Sequence, residues 1–187
     1  MANPIGIALR RVRAGHRKLA WQDPALQAPQ DFQLSSPSFR HGTPVPQRHA
    51  GKRVGGQDLS PELTWTPPPA GTAELALVVQ DPDAPLPRPV THSFTLGIDP
   101  ALNRLPEGAL SDASPVAGLR HGKNMGSLGY FGPAPVPSHG PHSYIFQLFA
   151  LDQPTSLQTG FTSKQALEAI RGHVIARARL DGSYEIP

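Results

Sequence analysis

The sequence predicts a mainly β, sandwich-like domain with one C-terminal helix and long loops rich in proline and glycine. Three observations carry this. Proline supplies 23 and glycine 18 of the 187 residues, where average usage of ~5% and ~7% leads to roughly 9 and 13. Three apolar segments have the length and composition of strands. One segment alone shows helical periodicity behind a capping signal. The proline excess argues against a helical bundle, because proline interrupts helix interiors. A chain of this length forms one domain that buries about 70% of the surface its unfolded state exposes.

Residues 1–30 read as an extension, with a turn or two of helix around Ile7, Ala8, Leu9 and Val12. Trp21 and Leu26 are apolar anchors for docking on the domain or on a second subunit. From Phe32 to Ser36 apolar and polar residues alternate, as in a half-buried strand. A Gly/Pro-rich loop follows, then a short strand Leu63–Thr66 closed by three prolines. Glu74–Gln80 is a continuous apolar run with the β-branched content of a buried strand. In Val90–Ile98, strict alternation puts His92, Phe94, Leu96 and Ile98 on one face. In Ser143–Leu151 both faces are apolar, with Tyr144, Phe146, Leu148 and Ala150 on one and Ile145 and Phe149 on the other, which makes this strand central. Thr162-Ser163-Lys164-Gln165 fits a capping box, and Ala166, Leu167, Ile170, Val174 and Ile175 continue at helical spacing. Leu180–Ile186 is strand-like.

Cysteine is absent, which excludes disulfides, thiol nucleophiles and Cys-ligated zinc. No apolar run approaches the ~18 residues of a membrane span, and the N-terminus lacks a signal-type apolar segment, so the expected location is cytoplasmic. Arg10, Arg11, Arg13, Arg17 and Lys18 stand in residues 1–20 without an acid, which leaves 12 basic against 14 acidic residues in the remainder. The basic balance therefore belongs to the extension. Such an arm reads first as a solvated or subunit-packing element, consistent with a homodimer, and only secondarily as a nucleic-acid contact.

Two segments carry candidate chemistry. Asp81-Pro82-Asp83-Ala84-Pro85 holds two carboxylates on a turn stiffened by prolines, just before the strand containing His92. The Gly/Pro-dense stretch 126–144 carries His139 and His142 and leads into the central strand. Its glycines permit close backbone approach to a ligand. As structural elements, the first is an ordinary Asp-capped turn and the second a surface loop.

These blocks, in order with Leu34-Ser35-Ser36-Pro37-Ser38-Phe39, Leu59-Ser60-Pro61-Glu62-Leu63-Thr64-Trp65, Gly129-Tyr130-Phe131-Gly132-Pro133, Gly140-Pro141-His142-Ser143-Tyr144 and Gly182-Ser183-Tyr184, resemble the phosphatidylethanolamine-binding protein family in its bacterial branch of Raf-kinase-inhibitor-like proteins. The resemblance runs from about Phe32 to Tyr184. It implies an antiparallel, Greek-key type β-sandwich with a small pocket near one edge. By position, Asp81, Asp83, Pro85, His92, Gly132, Pro133, His142 and Tyr144 would line it. Ser93 stands where the family often has Trp, Ser143 where it often has Arg, and Ala134 where bacterial members often have Cys. The Ser143 change would remove a positive charge from the rim.

The resemblance implies binding of a small anion or phospholipid headgroup of the phosphoethanolamine type, and regulation of a kinase or protease as some members do. No metal or other cofactor is expected, and no integral membrane contact. His92 and His142 would donate to the anion and gain charge as it binds, and Asp81 or Asp83 would orient an imidazole. Tyr144 would donate its O–H. The alternative is an Asp/His-based hydrolase, metal-assisted through Asp81, Asp83, His92 and His142. The binding reading has the advantage that no Gly-x-Ser-x-Gly elbow or thiol is present.

Overall fold

A computed structural model describes residues 2–125 and 127–187; Gly126, the first residue of the predicted loop, lies outside them. The strands are β1 (Leu34–Ser35), β2 (Thr43–Pro44), β3 (Leu63–Trp65), β4 (Glu74–Asp81), β5 (Val90–Ile98), β6 (Arg104–Leu105), β7 (Arg120–His121), β8 (Lys123–Asn124), β9 (Ser127–Leu128), β10 (His142–Leu151) and β11 (Val174–Tyr184). The α-helices are α1 (Pro4–Leu9) and α2 (Ser163–Ile170). Six strands form the main sheet in the order β2-β11-β10-β4-β5-β7, and β1-β3-β6 form a second sheet. All pairings are antiparallel except the short contact of β2 with β11.

β4, β5 and β10 are the long strands read from sequence, the predicted Leu180–Ile186 strand is the end of a longer β11, and β10 is central between β11 and β4. Its Tyr144, Phe146, Leu148 and Ala150 join a core that includes Leu34, Leu63, Trp65 and Leu105 of the smaller sheet. Its Ile145, Phe149 and Leu151 join a second core on the opposite face. That second core is covered by α2, through Ala166 and Ile170, and by the N-terminal segment, through Leu19, Ala20, Trp21 and Leu26. The main sheet is thus buried on both sides, which is why β4 is buried at all eight positions.

The N-terminal segment docks on its own chain. Short 3₁₀ turns at His16–Lys18, Ala20–Gln22 and Pro24–Leu26 carry it across the sheet. Its backbone is received by two glutamines placed among apolar neighbours: Ala20 N donates to Gln80 Oε1 at 2.8 Å and Trp21 N to Gln147 Oε1 at 2.6 Å. Arg177 stacks its guanidinium 4.1 Å from the Trp21 ring centroid and donates to the Trp21 carbonyl.

Two expectations are corrected. Strict alternation fails along β5, because register shifts fall opposite Leu75/Leu77 and Val79/Gln80. Each extra residue turns the side chains that follow to the other face. Phe94 and Leu96 stay in the arm-side core, Ile98 enters the other, and His92 turns to Tyr144, with ring centroids 5.0 Å apart. The helix, too, is shorter than its periodicity predicts. The Thr162–Gln165 capping box forms, but α2 ends at Ile170. Gly172 adopts φ +76°, a left-handed stop that suits glycine, and Val174 and Ile175 start β11 instead of extending the helix.

The arm's packing gives a direct test. Leu26 is fully buried, so Leu26→Ala should destabilise the protein by about 2–5 kcal/mol in urea unfolding. An unchanged midpoint would show that the segment is not part of the cooperative fold.

Candidate functional site

The end of β4 and the starts of β5 and β10 meet at one edge of the main sheet, since Gln80 pairs with Ile145 and Asp81 with Val90. A cavity of about 270 Å³ opens there. Asp81, His92, His142 and Tyr144 form its polar floor, and Pro85 is in its wall. The remaining wall is apolar: Ala84 and Leu86 from the β4–β5 turn, Phe131, and Ala134 to Val136 from the proline-rich loop. Leu86 and Met125 stand exposed at the mouth.

Three of the expected residues do not line this cavity. Asp83 turns outward, where Oδ1 pairs with Arg13 at 2.9 Å and Oδ2 accepts from Ser143 N at 2.7 Å. Gly132 donates its N–H to Asp58 Oδ1 at 2.7 Å and lies against the His49–Ala50 backbone with no room for a Cβ. Pro133 accepts from Gly51 N through its carbonyl. Both loop residues fix the wall from behind. A guanidinium is nonetheless present at the rim beside Ser143. It comes from Arg13 of the N-terminal segment, which also donates to the Pro141 carbonyl.

Asp81 is 3% exposed, so its carboxylate needs partners. Oδ1 accepts from the backbone N–H groups of Asp83 and Ala84, and Oδ2 lies 2.7 Å from His142 Nδ1. His142 Nε2 lies 2.7 Å from His139 Nδ1, and His139 Nε2 lies 2.8 Å from the Leu9 carbonyl at the end of α1. This row runs from a carboxylate to a carbonyl, and both ends can only accept. Both ring nitrogens of His142 are taken up within this row. Consequently His142 presents no free nitrogen to the cavity, contrary to the expectation that both imidazoles meet the ligand.

His92 is the imidazole that does. Its Nδ1 lies 2.8 Å from the Phe131 carbonyl, which can only accept, so Nδ1 carries the proton. Its ring stacks on Phe131 at 4.1 Å. Burial pushes its pKa below the ordinary value, against the attraction of Asp81 and the Phe131 hydrogen bond, while His142 adds to the lowering. Nε2 is then an unpartnered acceptor. Tyr144 Oη is buried without a hydrogen-bond partner among the described residues. Burial and the Asp81 charge drive its pKa upward, so it stays a neutral O–H donor.

The N-terminal segment also frames the site. Ala14 N and Gly15 N donate to the carbonyls of Ala84 and Pro82. Asn3 N donates to Ser138 Oγ and Arg10 Nε to the Ser138 carbonyl. Ser138 holds φ +61°, a left-handed conformation unusual for a non-glycine residue, and these bonds secure it. Sequence reasoning missed His139 and Phe131 as site members. The Gly/Pro-dense stretch draws attention to His139, but nothing local gives its role, because its partner Leu9 is 130 residues away.

Two outcomes are expected. His139→Ala leaves His142 Nε2 and the Leu9 carbonyl unpaired, so amide exchange across α1 should accelerate and stability fall by about 1–3 kcal/mol; unaltered exchange would show that the row does not hold α1. For Asp83, burial raises the pKa, but the Ser143 hydrogen bonds and Arg13 outweigh it and hold it below the usual carboxylate value. The wild-type stability advantage over Arg13→Ala is therefore complete above the unfolded carboxyl value of about 3.9 and is lost as pH falls through the lower folded value. Thermal unfolding of both proteins as a function of pH checks this.

Comparison with known proteins agrees with the fold and the motifs. The sequence profile of the phosphatidylethanolamine-binding protein family matches residues 35–185. LppC of Mycobacterium tuberculosis, a lipoprotein by its name, is 38% identical over 159 residues, covering 84% of this chain and 74% of that protein. A UPF0098 protein of Chlamydia trachomatis is 36% identical over 161 residues, covering 82% of this chain and 99% of that protein. Among solved structures, the Chlamydia trachomatis homologue CT736 superposes with a TM-score of 0.73 at 34% identity, over 83% of this chain and 98% of its own. Escherichia coli YbcL superposes with a TM-score of 0.78 at 28% identity, over 84% and 99%. No described helix is long and apolar enough to cross a membrane. With the profile spanning residues 35–185 and the fold shared with CT736 and YbcL over 83% and 84% of the chain, this protein belongs to the phosphatidylethanolamine-binding protein family.

Proposed function

We propose that the protein binds, without chemical conversion, a small molecule bearing a phosphate or carboxylate group next to an apolar portion, of which a phosphoethanolamine headgroup is one type. The observation that supports this most is that Tyr144 Oη and His92 Nε2 stand in a largely apolar cavity with no hydrogen-bond partner among the described residues. One donor and one acceptor match an acid group that enters with its proton: an anionic or carbonyl oxygen accepts from Tyr144, and the acidic proton is shared with His92. Both Asp81 oxygens are already engaged, Oδ1 by the Asp83 and Ala84 N–H groups and Oδ2 by His142, which screens the carboxylate from such a ligand. The apolar wall takes the uncharged portion. At about 270 Å³ the cavity is below the usual ~300–1,000 Å³ of drug-sized sites, which restricts the ligand to a small head.

Hydrolysis gains less support. The imidazole paired with a carboxylate, His142, has its second nitrogen directed at His139 instead of the cavity, so it is not placed to activate water.

Binding of an anion here takes up a proton at His92. Affinity for phosphoethanolamine should therefore fall as pH rises from the free His92 value, below the ordinary ~6.5, to the higher value in the complex, by up to about tenfold per unit. Tyr144→Phe should weaken binding by about tenfold or more. Calorimetric titration over mildly acidic to mildly alkaline pH measures both. A flat pH profile together with unchanged Tyr144→Phe affinity would sink the proposal.

A further inference from the structure

On the arm side of the main sheet, a second cleft of about 430 Å³ opens between the N-terminal segment, the β4–β5 turn and the start of α2. Lys18, Arg88, Lys164 and Arg171 line it against a single acid, Glu168. Arg171 is already committed to Asp23 at 2.8 Å and to Glu168 at 2.9 Å. Lys18 Nζ donates to the Pro87 carbonyl and has no acidic partner among the described residues. Arg88 and Lys164 form no ion pair there either. Three cations are thus gathered around one opening without neutralisation.

The base of the cleft supplies the second observation. Gln80 is only 7% exposed. Its Oε1 accepts from Ala20 N at 2.8 Å and from Gln147 Nε2 at 3.1 Å. A backbone N–H can only donate, so the oxygen is assigned without ambiguity, and the amide NH2 must point the other way. That side of Gln80 lines the cleft, where no acceptor among the described residues meets Nε2. Gln80 Nε2 is thus a donor held in place through its own amide oxygen and open to the cleft, where it can meet an acceptor from outside the chain. Thr91 and Ser163 line the same opening, and their hydroxyls can donate as well.

We propose that this cleft is a second ligand site, separate from the His92–Tyr144 cavity, that takes a multiply charged phosphate group: a phosphomonoester or a diphosphate. The Gln80 amide binds one phosphate oxygen, and Lys18, Arg88 and Lys164 neutralise the charge. The shape agrees with the chemistry. Every unpartnered polar group named here is a donor or a cation, and the volume exceeds that of a bare phosphate, leaving room for the group that carries it.

Inorganic pyrophosphate is the probe, titrated into the full chain labelled with 15N. The side-chain amide resonances of Gln80 should shift, and they should shift equally in Tyr144→Phe, which separates this site from the other cavity. Arg88→Ser with Lys164→Ser removes two exposed cations without touching the core and should weaken binding at least about tenfold. Gln80→Glu keeps the oxygen that receives Ala20 and Gln147, replaces the donor with a carboxylate oxygen, and should abolish binding. Trp21 fluorescence reports whether the arm stays docked in that variant. Sedimentation with phosphatidic acid vesicles, lost in the double variant, would identify the phosphate source as a lipid headgroup; pyrophosphate binding without sedimentation would identify a free phosphate ester. The proposal fails if the Gln80 amide does not respond to millimolar pyrophosphate, or if the double variant binds it as tightly as the wild type.

Discussion

The carboxylate of Asp81 is the constraint on which the site depends. It ends a strand that is buried along its whole length, so it cannot be solvated and must be matched by donors. Two of these come from the turn that follows, at Asp83 and Ala84, and a third from His142 across the strand pair. The first two give the β4–β5 turn its shape, which sets Pro85 and Leu86 in the cavity wall. The third orients His142 and, through His139, reaches the N-terminal helix. One buried charge thus specifies the turn, the start of β10 and the position of a segment distant in sequence.

The second organising fact is that the main sheet has no solvent-facing side. The smaller sheet covers one face, and α2 with residues 19–26 covers the other. This assigns the extension a structural role beyond that of a charged tail. Of its five basic residues, Arg10, Arg13 and Lys18 each bond to backbone or carboxylate groups of the domain. The arm then completes the site's surroundings, since Arg13 balances Asp83 at the rim and Asn3 and Arg10 hold the strained Ser138 turn that presents His139.

Much of this was legible in the residues. The runs that became β4, β5 and β10 carried their identity in apolar content and alternation, and Thr162 with Gln165 marked the start of α2. Asp81, Pro85, His92, His142 and Tyr144 were drawn together by their motifs. What escaped the sequence depended on geometry that local pattern does not encode. A bulge changes which face His92 occupies without changing any residue type. Gly172 outweighs the continuing helical periodicity of Val174 and Ile175 because it terminates the helix while those β-branched residues suit a strand equally well. The position of Asp83 depended on Arg13, 70 residues earlier. A usable signal was present for the arm: Gln80 and Gln147 are isolated polar residues within apolar strands, and such residues must receive something.

The distribution of neutralised and free charge explains why the two openings differ. At the cavity, each carboxylate is answered from behind, Asp81 by the Asp83 and Ala84 N–H groups and by His142, and Asp83 by Arg13, so neither is left unpartnered toward a ligand. Discrimination there falls to one phenol and one imidazole nitrogen set among apolar groups, which weigh hydrogen-bond pattern and size over charge. At the cleft the balance is reversed. Asp23 and Glu168 are spent on Arg171, and no acid remains for Lys18, Arg88 or Lys164. The β4–β5 turn contributes to both, presenting Pro85 and Leu86 to the cavity and Arg88 and Pro89 to the cleft. A short proline-stiffened turn can serve two unlike environments because its backbone is held by the Asp81 carboxylate and by the arm's Ala14 and Gly15, leaving Leu86 and Arg88 to face them.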